Sequence, residues 1–156
     1  MQAIQISNAR GTTQASQSTS SARTDRVAML RILWAGPLAV AAATAATLAA
    51  LAVAIAVLPP INPAFVELAP QSVAMVTAVL CACALPVYAL VARFTRRPIR
   101  TFEIISAGAL VLSWVPDLLL LSDPTSTVPT VIALMVLHVV AAVALVRTLT
   151  ALTRAA

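Results

Sequence analysis

Apolar residues gather along this chain into four long runs, near residues 32–58, 72–92, 102–121 and 129–149, and the charged residues are confined almost entirely to the segments between and around them. At a rise of 1.5 Å per residue, a run of about 20 covers the roughly 30 Å hydrocarbon core of a bilayer, so each run predicts a transmembrane helix. The first is long enough to tilt or to extend past the core. Its Pro37 lies about one turn from the start, where a missing amide donor matters little. Pro86 and Pro116 lie deeper in the second and third runs, and each is expected to bend its helix and free a carbonyl.

The segments between the runs supply end signals. Thr101 is the expected N-cap of the third helix, with Glu103 in its first turn against the positive end of the helix dipole. Thr127 with Pro129 is expected to open the fourth. The loop after the first run holds Ile61, Phe65 and Leu68 among four prolines and is expected to lie along the membrane interface, while Trp34 is expected near the interface at the start of the first helix. Residues 1–26 are rich in Gln, Ser, Thr and Ala with almost no periodic apolar residue to bury, so ordering them would cost entropy without return. The expectation is an all-α fold: a disordered tail over 1–26, then a transmembrane four-helix bundle over 27–156. The first apolar run exceeds the h-region of a cleaved signal and is expected to stay in the mature chain.

Composition agrees. A chain of 156 residues that is 61% hydrophobic and 10% charged, with a mean hydropathy of +0.98, cannot hide its apolar surface in a water-soluble fold. Lipid must be its main solvent. The net charge of +5 adds a direction. All ten basic residues are arginine: Arg10, Arg23, Arg26 and Arg31 precede the first run, Arg93, Arg96, Arg97 and Arg100 lie between the second and third, and Arg147 and Arg154 lie near the end. The two remaining loops carry only Glu67 and Asp123. By the positive-inside rule both termini and the arginine loop face the cytoplasm, in the cell membrane. Basic flanks of this kind account for the charge without a nucleic-acid partner. The expected partners are the lipid bilayer and a second copy or another membrane protein, since a four-span transporter would need a second copy to enclose a pathway.

Candidate chemistry is sparse. Small residues recur at spacing four in the alanine-rich first run, for instance Ala41, Ala45 and Ala49, and predict close packing against neighbouring helices. Thr44 and Thr47 lie near its middle and can satisfy their hydroxyls on the preceding turn. Cys81 and Cys83 are about 200° apart around a helix and can neither chelate a metal together nor bond to each other. A single histidine leaves a metal site short of ligands. No phosphate loop, acid–base pair or activated nucleophile stands out, so neither enzymatic activity nor a cofactor is expected.

Three polar residues inside the runs remain: Ser113 and Asp117 in the third and His138 in the fourth. Ser113 and Asp117 are four apart and share a helix face. With the third and fourth helices antiparallel, Ser113 lies within roughly 3 Å of the depth of His138, and Asp117 about 9 Å from it. The expected contact is therefore a Ser113–His138 hydrogen bond, with Asp117 as a boundary carboxylate wetted from the surface.

The stretch FEIISAGALVLSWVPDLLLL followed by VIALMVLHVVAAVALV, with its basic inner loop, its S-x-x-P motif and its mid-span histidine, resembles a family of small bacterial four-helix membrane proteins known only as a domain of unknown function. The resemblance covers about residues 28–150 and puts Ser113, Pro116 and His138 on that family's recurrent positions. It implies the fold and brings no activity. Two functions are then expected in order: a membrane scaffold or accessory subunit, suggested by small-residue packing and few buried charges, and as alternative a small proton-linked carrier using His138 and Asp117.

Overall fold

The structure, a computed structural model, describes residues 29–57, 68–124 and 126–153. The expected tail over 1–26, Ile61 and Phe65 lie outside these residues. Four helices follow one another: α1 (Met29–Val57), α2 (Pro70–Phe94), α3 (Pro98–Leu119, continued by a 3-10 turn over Leu120–Ser122) and α4 (Val128–Thr153). All four are long and apolar enough to cross a membrane. A helix satisfies its own backbone groups, which is the requirement lipid imposes on any single spanning segment. Both α2 and α3 run unbroken through Pro86 and Pro116.

Two helices begin earlier than their apolar runs because proline takes the first helical position. Pro70 and Pro98 each occupy N1, where a fixed φ suits the helix and the missing N–H would have been unpaired anyway. The N-cap of α3 is consequently Arg97, not Thr101: the Thr101 N–H bonds the Arg97 carbonyl at 3.1 Å inside the first turn, and Glu103 lies beyond that turn. The start of the apolar run is a poor marker here because Pro98 and Ile99 are already buried against the bundle. For α4 the expected start is present. The Val131 N–H bonds the Thr127 carbonyl at 3.1 Å, and the Thr127 and Thr130 hydroxyls meet at 2.8 Å.

The most extensive contact is between α1 and α4, followed by α1 with α2, while α3 leans on α4 and only lightly on α2. Close approach by α1 comes from a stripe at spacing four, Ala35, Ala39, Ala43, Thr47 and Leu51, every member of which is buried. Ala41, Ala45 and Ala49, which have the same spacing, lie on the exposed face instead. In a helix where nearly every register is small, spacing alone does not say which stripe is covered. Gly36 beside this stripe lies close against α2: a Cβ there would come within 2.9 Å of Leu85 Cδ1.

Two apolar clusters close the bundle. At the end carrying the arginine turn, Tyr88 and Phe102 meet edge to face with ring centroids 4.7 Å apart, over Leu145 and Leu149. Thr153 donates its hydroxyl proton to the Leu149 carbonyl at 2.7 Å, so in the contact between the two hydroxyls the phenol of Tyr88 is the donor to Thr153. At the opposite end Leu51, Leu68, Val73, Leu134 and Leu137 pack with Leu120. Leu68 is thus part of the protein core and does not lie on the interface. Facing outward are large apolar side chains from all four helices, including Leu33, Trp34, Val53, Met75, Leu112 and Val136. An apolar exterior on this scale exceeds anything a soluble monomer presents and is matched to lipid. The protein is a multi-pass membrane protein.

Candidate functional site

The inner face of α3 is large at its ends and small in between. Phe102 and Asp117, fifteen positions apart, are offset by only about 60° around the helix and so share one face. Both are buried, and no residue between them is. On that face Ser106, Ala109 and Ser113 are too short to bridge to a neighbour. Opposite its middle lie Cys81 and Ala84 on α2 and Ala141 and Ala142 on α4, with larger residues such as Leu80, Leu137 and Leu145 around them. Small faces in a membrane bundle usually bring backbones together. Here Tyr88 and Phe102 at one end, and the leucine cluster at the other, hold α2 and α3 apart. The result is a cleft of about 580 Å³ floored by α4, with Thr47 of α1 reaching its wall. That volume is within the range of sites that take drug-sized ligands.

Asp117 and His138 form the polar end of this cleft. Asp117 is 5% exposed, and its Oδ2 lies 3.0 Å from Nδ1 of His138. The same ring nitrogen is 2.9 Å from the carbonyl of Leu134, one turn back on α4. A carbonyl oxygen can only accept, so the contact with Leu134 is a hydrogen bond in the tautomer that carries its proton on Nδ1. In that tautomer the N–H is directed to the carbonyl, and Asp117 Oδ2 has the imidazole beside it but no aligned hydrogen bond among the described residues. Much of its acceptor capacity is unspent. Titratable groups facing the cleft are these two and the thiol of Cys81, with nothing charged from α1.

The structure reverses the expected pairing. Ser113 does not bond His138; its hydroxyl donates to the Leu110 carbonyl of its own helix at 2.7 Å. Asp117, expected at a wetted boundary, is the group that meets the imidazole. The reason is side-chain direction. Every Cα–Cβ bond in a helix tilts toward the N-terminus, so on antiparallel α3 and α4 the side chains of Asp117 and His138 lean toward each other. The contact of Nδ1 with the Leu134 carbonyl shows the ring lying over the preceding turn. Backbone depth alone missed this convergence of two long side chains, and serine is too short to benefit from it.

The other polar positions behave as helix residues. Thr44 and Thr47 donate to the Val40 and Ala43 carbonyls at 2.9 and 2.8 Å, and only Thr47 reaches the cleft. Cys81 is buried and Cys83 exposed, and both are free thiols. No group of three or more metal-ligating side chains occurs among the described residues. Tyr88 and Phe102, which seal the cleft, were not singled out by the sequence pattern; the available signal was an aromatic on each side of the arginine turn.

A bundle of four membrane-length helices around an acid–imidazole pair defines a small polytopic membrane protein with a polar site inside its core. More particularly, the chain belongs to a family of unknown function, DUF6069, whose model matches residues 24–155 and so takes in all four helices. This agrees with the resemblance carried by Ser113, Pro116 and His138. No curated protein and no solved structure matches the chain.

Proposed function

We infer that this protein is a small membrane carrier, linked to proton movement through Asp117 and His138, that takes up a small and largely apolar molecule. The observation that carries this reading is the 3.0 Å contact between buried Asp117 and His138 in the wall of the 580 Å³ cleft. Ionisable groups within a membrane are costly to place there, and apolar residues of similar volume generally pack a bundle as well or better. A scaffold accounts for the small-residue contact of α1 with α4 but leaves the pair and the cleft without use. Placement in the cell membrane with both termini cytoplasmic is supported by the exposed Arg93, Arg96, Arg97 and Arg100 around the turn between α2 and α3.

The test is a flux assay. Proteoliposomes loaded with a pH-sensitive dye are given a pH gradient and then small membrane-soluble cations, neutral molecules and anions in turn. At least one class should discharge the gradient in a protein-dependent manner, and the discharge should vanish in an Asp117→Asn, His138→Gln variant that remains folded. Discharge that survives in that variant, or none from any class, would sink the carrier reading. The latter outcome favours the scaffold.

A further inference from the structure

The cleft has a sign as well as a size, and this bears on what enters it. The arginines are not part of its lining: Arg93, Arg96, Arg97, Arg100 and Arg147 are all exposed. Of the ionisable groups that do line it, α2 contributes the thiol of Cys81, α3 the carboxyl of Asp117 and α4 the imidazole of His138, with none from α1, and the other polar groups of the lining are neutral hydroxyls. One acid and one imidazole in a low-dielectric site are most stable at zero net charge, with a single proton shared between them that belongs to the pair and not to either residue.

Each class of occupant changes that balance differently. An anion would leave a negative charge uncompensated beside a buried carboxylate. A neutral molecule would leave the balance untouched. A cation placed against Asp117 restores zero net charge only if the pair gives up its proton, because two positive charges side by side in this medium repel strongly. Asp117 and His138 both line the cleft, and Asp117 Oδ2 is shielded from solvent beside the imidazole without an aligned hydrogen bond, so the charge of an occupant would act directly on the pair. The access route suits an apolar body: Val76 and Leu80 of α2 and Ala109 of α3 line the cleft and are themselves exposed, so it is open between these two helices.

We propose that the cleft binds a monovalent lipophilic cation, of the protonated-amine or quaternary-onium class, with its positive centre at Asp117 and its apolar part along the small-residue face of α3, in exchange for one proton. The proton leaves the Asp117–His138 pair for bulk water as the cation arrives, and returns when the cation leaves. This deepens the carrier reading and rests on it.

The experiment uses the full chain purified in detergent, with empty micelles as background, and three probes of similar shape: tetraphenylphosphonium, neutral triphenylphosphine oxide and anionic tetraphenylborate. Tetraphenylphosphonium has no proton of its own, so any proton released comes from the protein. Equilibrium dialysis should show the cation bound at least about tenfold more tightly than the neutral probe, a difference well outside measurement error. In a weakly buffered indicator solution its binding should release about one proton per chain, as linkage requires of an exchange. Asp117→Asn should bring the cation and neutral probes to similar affinity and remove the proton release. Ala109→Trp, which fills the cleft from an exposed position and leaves the pair in place, should weaken both probes together. Cation and neutral probes binding alike without proton release would overturn this proposal while leaving the cleft as a binding site. Preference for the anion would overturn it too. Failure of every probe to bind above background would overturn it together with the carrier reading. Since the preference and the proton count are both read on the native chain, failure of Asp117→Asn to fold would leave the test decisive.

Discussion

His138 is the residue on which the interior of this bundle turns. Its ring stands over the preceding turn of α4, with Nδ1 2.9 Å from the Leu134 carbonyl and 3.0 Å from Asp117. Ser113 is no partner of it, and this separates two outcomes. Thermal unfolding in detergent should show Ser113→Ala changing stability by less than about 0.5 kcal/mol, because its hydroxyl serves only its own helix. A double-mutant cycle over Asp117 and His138 should give a coupling of about 0.6–1.7 kcal/mol, the range found for polar contacts between membrane helices, against near zero for Ser113 and His138. A coupling at Ser113 equal to that at Asp117 would contradict the geometry. Tyr88 offers a second check at this scale. Tyr88→Phe keeps the ring against Phe102 but removes the donor to Thr153, and should cost about 1 kcal/mol in the same assay. That Ser113, Asp117 and His138 were the candidates was legible from their placement in apolar runs. Which two would touch was not, because the answer depends on how far and in which direction each side chain leans.

Among the helices, α1 and α3 represent opposite uses of small residues. On α1 the stripe Ala35–Ala39–Ala43 is fully covered, and Gly36 brings the backbone against Leu85. Ala39→Leu should therefore destabilise the protein by about 1–3 kcal/mol through overpacking, whereas Ala41→Leu, on the exposed face, should stay within about 0.5 kcal/mol. The comparison is sharp because the two substitutions are chemically identical and two positions apart. Equal effects would mean that the assignment of the covered face is wrong. At Gly36 an added Cβ would meet only the flexible end of Leu85, so alanine should be tolerated better than valine. On α3, Ser106, Ala109 and Ser113 form a small face that lines the cleft. Pattern alone cannot distinguish the two cases. The difference comes from the residues that flank each stripe: Tyr88 and Phe102 prop one end of the α2–α3 gap, and nothing comparable separates α1 from α4.

At the scale of the whole molecule, charge and packing place the arginines and the acid–imidazole pair at different levels. The arginine turn over residues 95–97 closes one end, next to the Tyr88–Phe102 seal, and Asp117 lies toward the other. Topology can be read directly in a cysteine-free background. With both termini cytoplasmic, Arg97→Cys should be protected from an impermeant maleimide added outside intact cells, and Asp123→Cys should be labelled. The reverse pattern would mean the arginine asymmetry does not orient this protein. Every residue lining the cleft falls within one of the four membrane-length helices or the 3-10 turn that continues α3.

The number of helices, their approximate limits and their membrane character were determined by the sequence itself, because hydrocarbon admits long apolar helices and little else. The candidate polar residues were visible there too, since an ionisable group in such a run is conspicuous on its own. The tertiary structure alone decided that Asp117 and His138 meet, that Ala39 is covered and Ala41 is not, and that the small face of α3 borders a cleft instead of a close contact. Each of these depends on the rotation and spacing of helices whose sides are almost equally apolar. An amphipathic helix in water declares its inner face by its pattern; a helix in lipid is apolar on every side, and only its neighbours reveal which side is inside.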